Sequence, residues 1–425
     1  MNELREQIPL TQDVKAIYGE KTSLESRIVG SEGYDALPEP NFGKGGWNKR
    51  NVKAFQTSAF PTSDAWQSIV HAYQPDGFQQ PTIVLADGHV VMTHDLDVLR
   101  DQGVIAMPLS QAETEHASLV KEAMHGVIAQ DENRYVALNS ALWRDGLFLY
   151  LPKGVIVEKP IVMISVTTQG GAGTFVRHLL IAKEQTQATV LTVDLAAADL
   201  ADELHVNVGE VLLYDHAHVT FGVLHDFPKN ATNHLMYRAK LARAAKMDWV
   251  IGELSEGYTV SEFASMLDGE GSSSTSHAIA LGSGRANLNF TAKMVHNARF
   301  SESDTMARGV MKDRAEAVFT GNTHILRGAS GSNGLQSERL LMLSPKSKAD
   351  AVPMLLIDEN DVKCGHAASV GQINEEQLFY LMSRGISEQE AKRMIVWGFI
   401  DPVLTRLPVT TIKEAVEAAI ERKMG

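Results

Sequence analysis

Five segments of this chain open on an alanine and continue as an alternating run: Ala188-Thr-Val190, Ala217-His-Val219, Ala245-Lys-Met247, Ala286-Asn-Leu288 and Ala315-Glu-Ala317. They are spaced by 29, 28, 41 and 29 residues. Repeats of this size suggest the stacked coils of a β-solenoid, where each coil buries its inner face only against its neighbours. An ordinary antiparallel sandwich fits the periodicity equally well. The surrounding stretch, from Phe148 to Val362, is rich in Val, Ile, Leu, Thr and Phe broken by Gly, Asp, Asn and Ser, which is strand and turn chemistry in either case.

The flanks read differently. Before Leu147 the pattern is mixed: Asp64–Tyr73 and Glu113–Ile128 space their apolar residues as amphipathic helices do, and Pro81–Met92 predicts a hairpin turning at Asp87-Gly88. The turn-rich Leu37–Trp47 is expected to wrap a surface. After residue 366 the chain becomes helical. Asn374 caps one helix that stops at Gly385, Ser387 and Glu390 begin a second, and Thr411 and Glu414 begin a third. The expected organisation is an N-terminal α/β region over 1–147, a β core over 148–366 and a C-terminal helical domain over 367–425 that closes the solenoid.

With 425 residues, two or three structural units are expected. The 52 acidic and 39 basic residues leave a net charge of -13, which opposes binding to nucleic acid. No apolar run is long enough for a membrane span, and the N-terminus lacks an export signal, so a cytoplasmic location is expected. A single cysteine, Cys364, excludes an internal disulfide framework and any all-cysteine metal site within one chain.

Common catalytic signatures are absent from the sequence: no phosphate-binding G-x-x-x-x-G-K-[ST], no dinucleotide G-x-G-x-x-G between strand and helix, no G-x-S-x-G elbow. Gly328–Gly331 reads as a turn, and Gly269–Gly284 as a loop and strand edge. His216 and His218 would share a strand face if extended, but a solvated or hydrogen-bonded pair is the better reading. His71, His125 and His324 are read as structural.

Val362-Lys-Cys364-Gly-His366 carries the most information. In extended backbone Cys364 and His366 point the same way and could face one partner surface. Sulfur and imidazole are both ligand types for iron and iron–sulfur clusters. Lys363 would favour the thiolate, whereas Asp358, Glu359 and Asp361 would oppose it. A cluster usually needs four protein ligands and this chain offers one sulfur, so any cluster must be held between subunits.

The run DVKCGHAASVGQINEEQLFYLMSRG from Asp361, followed by ISEQEAKRMIVWGFIDPVL, resembles the C-terminal signature of the SufB/SufD family of iron–sulfur cluster assembly proteins. ALNSALWRDGLFLYLPKGVIVEKPI, MARGVMKDRAEAVFTGNTHI and ERLLMLSPKSKADAVPMLLIDENDVKC are similar to family segments, so the resemblance covers most of Val136–Leu404. One cysteine and the N-terminal LPEPNFGKGGW make the chain most like the SufD type. It departs from that type in reading G-H-A-A-S where S-H-G-A-T is common.

The resemblance implies a mainly β fold, a right-handed parallel β-helix between an N-terminal α/β region and a C-terminal helical domain. It implies a SufB-like partner, a SufC ATPase bound through the C-terminal helices, and a non-catalytic scaffold role. His366 would help acquire iron, with Cys364 the second metal candidate. The iron or iron–sulfur cluster would be transient and shared with SufB, and none would be stably bound by this chain alone. Leu378, Phe379, Leu381, Met382, Met394, Ile395 and Trp397 are the expected ATPase dock. A homodimer of the isolated chain stays open. The alternatives are a polysaccharide-processing β-helix enzyme and a metal-free homo-oligomeric structural protein.

Overall fold

A computed structural model describes residues 14–16, 18, 23–38, 56–57, 64–74, 77–197, 200, 203–406 and 410–424. Most of Leu37–Trp47 lies outside the described residues. The centre is a parallel β-solenoid whose strands alternate between two sheets. One sheet holds Leu147–Leu151, Ala172–Ala182, Glu203–Leu213, Ala231–Leu241, Tyr258–Leu267, Asn287–His296, Glu316–Ile325 and Lys348–Ile357. The other holds Ile161–Thr167, Gln187–Ala196, His218–Asp226, Lys246–Glu253, Ser273–Gly282, Glu302–Met311, Asn333–Met342 and Lys363–Gln372. The solenoid alternative therefore holds, and the sandwich does not. Gly269–Gly284 is not a loop: its strand Ser273–Gly282 is paired on both sides.

The alanine repeat marks the corners. Ala217 and Ala245 precede strands of the second sheet, Ala286 and Ala315 strands of the first, which is why the interval between the two pairs is longer. Ala188 is a different position, inside its strand and in register with Val219. All four corner alanines are fully buried, and in later coils of the second sheet the same place is taken by Ser272, Ser301 and Ser332. The residue before each of these second-sheet corners is left-handed: His216 (φ 60°), Ala244 (51°), Gly271 (70°), Phe300 (56°) and Gly331 (76°). Each donates its N–H to the next coil, so the corner stacks as regularly as the sheet. A small residue is needed there because the corner has coils above and below it.

Inward side chains fill the lumen. Tyr237, Trp249, Phe263, Phe290 and Phe319 form a ladder with ring centroids 5.3 to 5.9 Å apart. Beside it lies a buried polar group in which His225 sits 3.0 Å from Glu253 and 3.4 Å from Asp194, all almost inaccessible. Burial works to lower the His225 pKa, and the two carboxylates outweigh it, raising the value to about 9.

Both outer faces of the earlier coils are covered. The helix Arg134–Leu142 packs Tyr135, Leu138 and Leu142 on Phe175, Leu204 and Val206 of the first sheet. The expected helix Glu113–Ile128 is instead two short ones, Leu109–Glu115 and Ala117–Ala123, broken at His116. The chain then turns so that the N–H groups of His125, Val127 and Ile128 donate to the buried carboxylate of Glu210, which also pairs with Arg177 at 2.6 Å. The hairpin Thr82–Ala86 and His89–His94 turns at Asp87-Gly88, both with positive φ, as a tight hairpin twist requires.

The C-terminal helices Glu375–Ser383, Glu388–Leu404 and Thr410–Met424 do not close the solenoid. Val396, Ile400, Ile412, Val416 and Ile420 pack on Leu191, Leu224, Val250, Ile279 and Leu281, the apolar outer face of the second sheet. An apolar outward row on those strands gives the helices more area to bury than the solenoid end does. The caps at Asn374 and Ser387 are formed, accepting from the N–H of Gln377 and Glu390. Thr411 lies inside its helix, which starts one residue earlier.

Candidate metal-binding seam at the open end

The last strand of each sheet, Lys348–Ile357 and Lys363–Gln372, pairs on one side only among the described residues. Each presents an outer row of backbone N–H and C=O groups, a template for another strand. From His366 to Gln372 every residue is exposed, as are Met354, Leu356 and Ile357 on the neighbouring strand. Apolar side chains at a free edge of this kind are uncommon in a protein that works alone.

Cys364 and His366 stand in this edge. Their partners in the preceding coil are Gly334 and Gln336, both on the buried inward phase of their strand, so the two side chains project together over the mouth of the lumen. Lys363 alternates to the opposite face. Cys364 is half-buried, and burial pushes its thiol up, with the Gly365 N–H acting the other way. The expected help from Lys363 is therefore not what sets the thiol.

The expected opposing carboxylates are occupied elsewhere. Asp358 accepts from or pairs with His324 at 2.9 Å, Glu359 accepts from the Gly328 N–H, and Asp361 accepts from the Ser330 hydroxyl at 2.9 Å. They tie the last corner to the one before it. His216 is the left-handed corner residue described above and cannot share a strand face with His218, which pairs with Asp248 at 2.7 Å. Among the described residues no group of three or more His, Cys, Asp or Glu converges as a metal site. Sulfur and imidazole suit iron, and two donors fall short of the four a cluster takes.

Two lumen residues behind the pair have no counterpart in the sequence reading. Gln336 and Glu338 point inward one coil below the edge and are 4 % and 1 % exposed. Burial pushes the Glu338 carboxyl up to about 7, against Arg308 and a backbone N–H. The detectable signal was a charged residue in the inward phase of Gly334-Leu-Gln-Ser-Glu338-Arg-Leu340, where apolar residues are expected.

The predicted docking residues divide between two environments. Ile395 and Trp397 are partly buried against the cluster that covers the second sheet. Phe379, Met382 and Met394 are exposed, Phe379 by 72 %, and the helix Glu375–Ser383 has no buried residue. Leu378 and Leu381 are half-buried between.

A family model described as "SUF system FeS cluster assembly, SufBD core domain" matches residues 164–399, more than half of the chain, and "SufBD protein N-terminal region" matches 76–163. The chain belongs to the SufB/SufD family. It is 38 % identical to the iron-sulfur cluster assembly protein SufD of Bacillus subtilis over 77 % of this chain and 75 % of that one. SufB of the same organism is 31 % identical over 76 % and 70 %. An iron-sulfur cluster assembly SufBD family protein of Staphylococcus saprophyticus is 32 % identical over 75 % and 69 %. The family places the chain in iron–sulfur cluster assembly by the SUF system. No helix among the described residues is long and apolar enough to cross a membrane.

Proposed function

We propose that this chain is the non-catalytic, SufD-type scaffold of a cytoplasmic cluster-assembly complex, and that its open solenoid end joins a SufB-like subunit. The observation that carries this reading is the strand Lys363–Gln372, paired on its inner side only among the described residues, which holds Cys364 and His366 at an edge ready to accept another strand. Iron is the cargo of that seam. His366 offers a nitrogen donor from an exposed side chain, and Cys364 a sulfur that takes up a cation in exchange for the thiol proton. The missing donors come from the sister subunit, so a cluster forms at the junction and leaves without a resident site in this chain.

ATP hydrolysis belongs to a SufC-type partner. The exposed Phe379 and Met382 on a helix with no fully buried residue support a dock there, with Ile395 and Trp397 bracing the helix behind it. Closure of two ATPase copies would shift both scaffold subunits and open the seam, coupling two separate sites.

The test replaces His366 with alanine in the co-expressed complex and measures iron and sulfide after anaerobic purification. Loading should fall at least tenfold while the subunits still co-purify. Unchanged loading refutes the metal role, and loss of the sister subunit would move His366 from ligand to interface residue.

A further inference from the structure

The pocket behind the Cys364/His366 pair is built from acceptors without donors. Glu338 is almost completely buried, and among the described residues no donor of another residue lies within hydrogen-bond distance of either carboxylate oxygen, its own backbone N–H being the one that acts on it. The Oε1 of Gln336 is likewise buried and unpartnered. The Gln336 amide is held in that sense because its Nε2 donates to Thr323 Oγ1 at 2.6 Å and to the Met354 carbonyl at 3.3 Å, and a carbonyl can only accept. Both free oxygens border the same space beside Gly321. A Cβ at Gly321 would collide with the Glu338 Oε1 and lie 3.1 Å from the Gln336 Oε1. Absence of a side chain at that residue lets the two oxygens lie side by side there.

Buried acceptors left without a donor are costly, about 1 to 3 kcal/mol each and more for a charged group. A native pocket that keeps two residues of this kind side by side is one that something electropositive enters. Arg308 does not fill the role. It lies on the outer side of its strand, against the Phe399 ring and donating to the Ala307 carbonyl. Position supplies the rest: Gln336 is in register with His366 and Gly334 with Cys364, so the pocket is one coil inward from the seam.

We infer that Glu338 and Gln336 form an oxygen-donor subsite for a divalent, iron-class cation, placed behind Cys364 and His366. It rests on the reading of that pair as the iron-handling edge. The chemistry of the two positions differs in a useful order. Carboxylate and amide oxygens hold a hard divalent cation with its remaining waters, whereas sulfur and imidazole suit iron that is being committed to a cluster. Gly321 allows the two oxygens to converge, and Glu338 supplies the charge.

Manganese(II) alone, added to the purified full chain and followed by the loss of its free electron-paramagnetic-resonance signal, tests the subsite. One ion should bind per chain, and Glu338→Gln should weaken binding at least tenfold. Gly321→Ala, whose Cβ would push the Glu338 carboxylate away from Gln336 without changing the chemistry of either donor, should do the same and serves if the first variant folds poorly. His366→Ala should leave manganese affinity within about threefold, since no nitrogen donor is involved. No binding by the natural chain would mean that the pocket holds only a proton or water, and the inference fails. Equal binding by Glu338→Gln, or loss in His366→Ala as large as in Glu338→Gln, also overturns it. None of these results touches the seam itself, which stands or falls on iron and sulfide loading of the complex.

Discussion

Replacing His225 with glutamine should remove a pH dependence that the folded chain owes to one imidazole. His225 is inaccessible inside the lumen, 3.0 Å from Glu253 and 3.4 Å from Asp194. Its pKa is raised from 6.5 to about 9. A folded-state value above the unfolded one stabilises the native state fully below pH 6.5, and the contribution disappears as pH rises through 9. The difference between the two values corresponds to about 3 kcal/mol at the low-pH limit. Glutamine keeps hydrogen-bonding capacity but no charge, leaving two carboxylates facing each other in a dry interior. Breaking a buried ion pair in this way costs about 3 to 5 kcal/mol. Urea unfolding of both proteins at pH 6, 7.5, 9 and 10 measures the effect. The difference in stability should be largest at pH 6 and shrink by about 3 kcal/mol by pH 10. A difference that stays constant over this range would show that His225 is neutral in the fold and would refute the argument.

Three further outcomes follow from the packing. Phe263→Ala, at the centre of the aromatic ladder and fully buried, should destabilise the chain by about 3 to 5 kcal/mol in the same unfolding assay. Ser387→Ala removes the side chain that accepts from the Glu390 N–H and should cost about 1 kcal/mol, visible as a lower melting temperature. Phe379→Ser with Met382→Ser, both on an exposed face, should leave the melting temperature within about 0.5 kcal/mol equivalent while abolishing co-purification with the ATPase; retained co-purification would move the dock elsewhere.

The repeat was readable because a solenoid corner accepts only a small buried residue, and Ala217, Ala245, Ala286 and Ala315 all satisfy that demand. What the spacing hid is that these alanines belong to two different sheets, since serine replaces alanine at the later corners of the second sheet. Local signals carried well where the chemistry is local: Asp87-Gly88 turned the hairpin and Asn374 and Ser387 capped their helices. They failed where distant residues decide. The helix expected through Ile128 ends early because Glu210, far along the chain, draws in three backbone N–H groups. The placement of the C-terminal helices depended on an apolar outer row of the second sheet, which no helical pattern reveals. For the site, the Cys364/His366 spacing was legible at once. Gln336 and Glu338 were not, because their importance comes from parallel register between coils 30 residues apart.

Amide hydrogen exchange across residues 348–372 measures the central claim most directly, comparing the isolated chain with its complex with the SufB-like subunit. Lys348–Ile357 and Lys363–Gln372 should exchange their outward-facing amides rapidly alone and become protected by at least a hundredfold in the complex, with the strand Asn333–Met342 little changed. Equal exchange in both states would mean that the open end is not where the sister subunit joins.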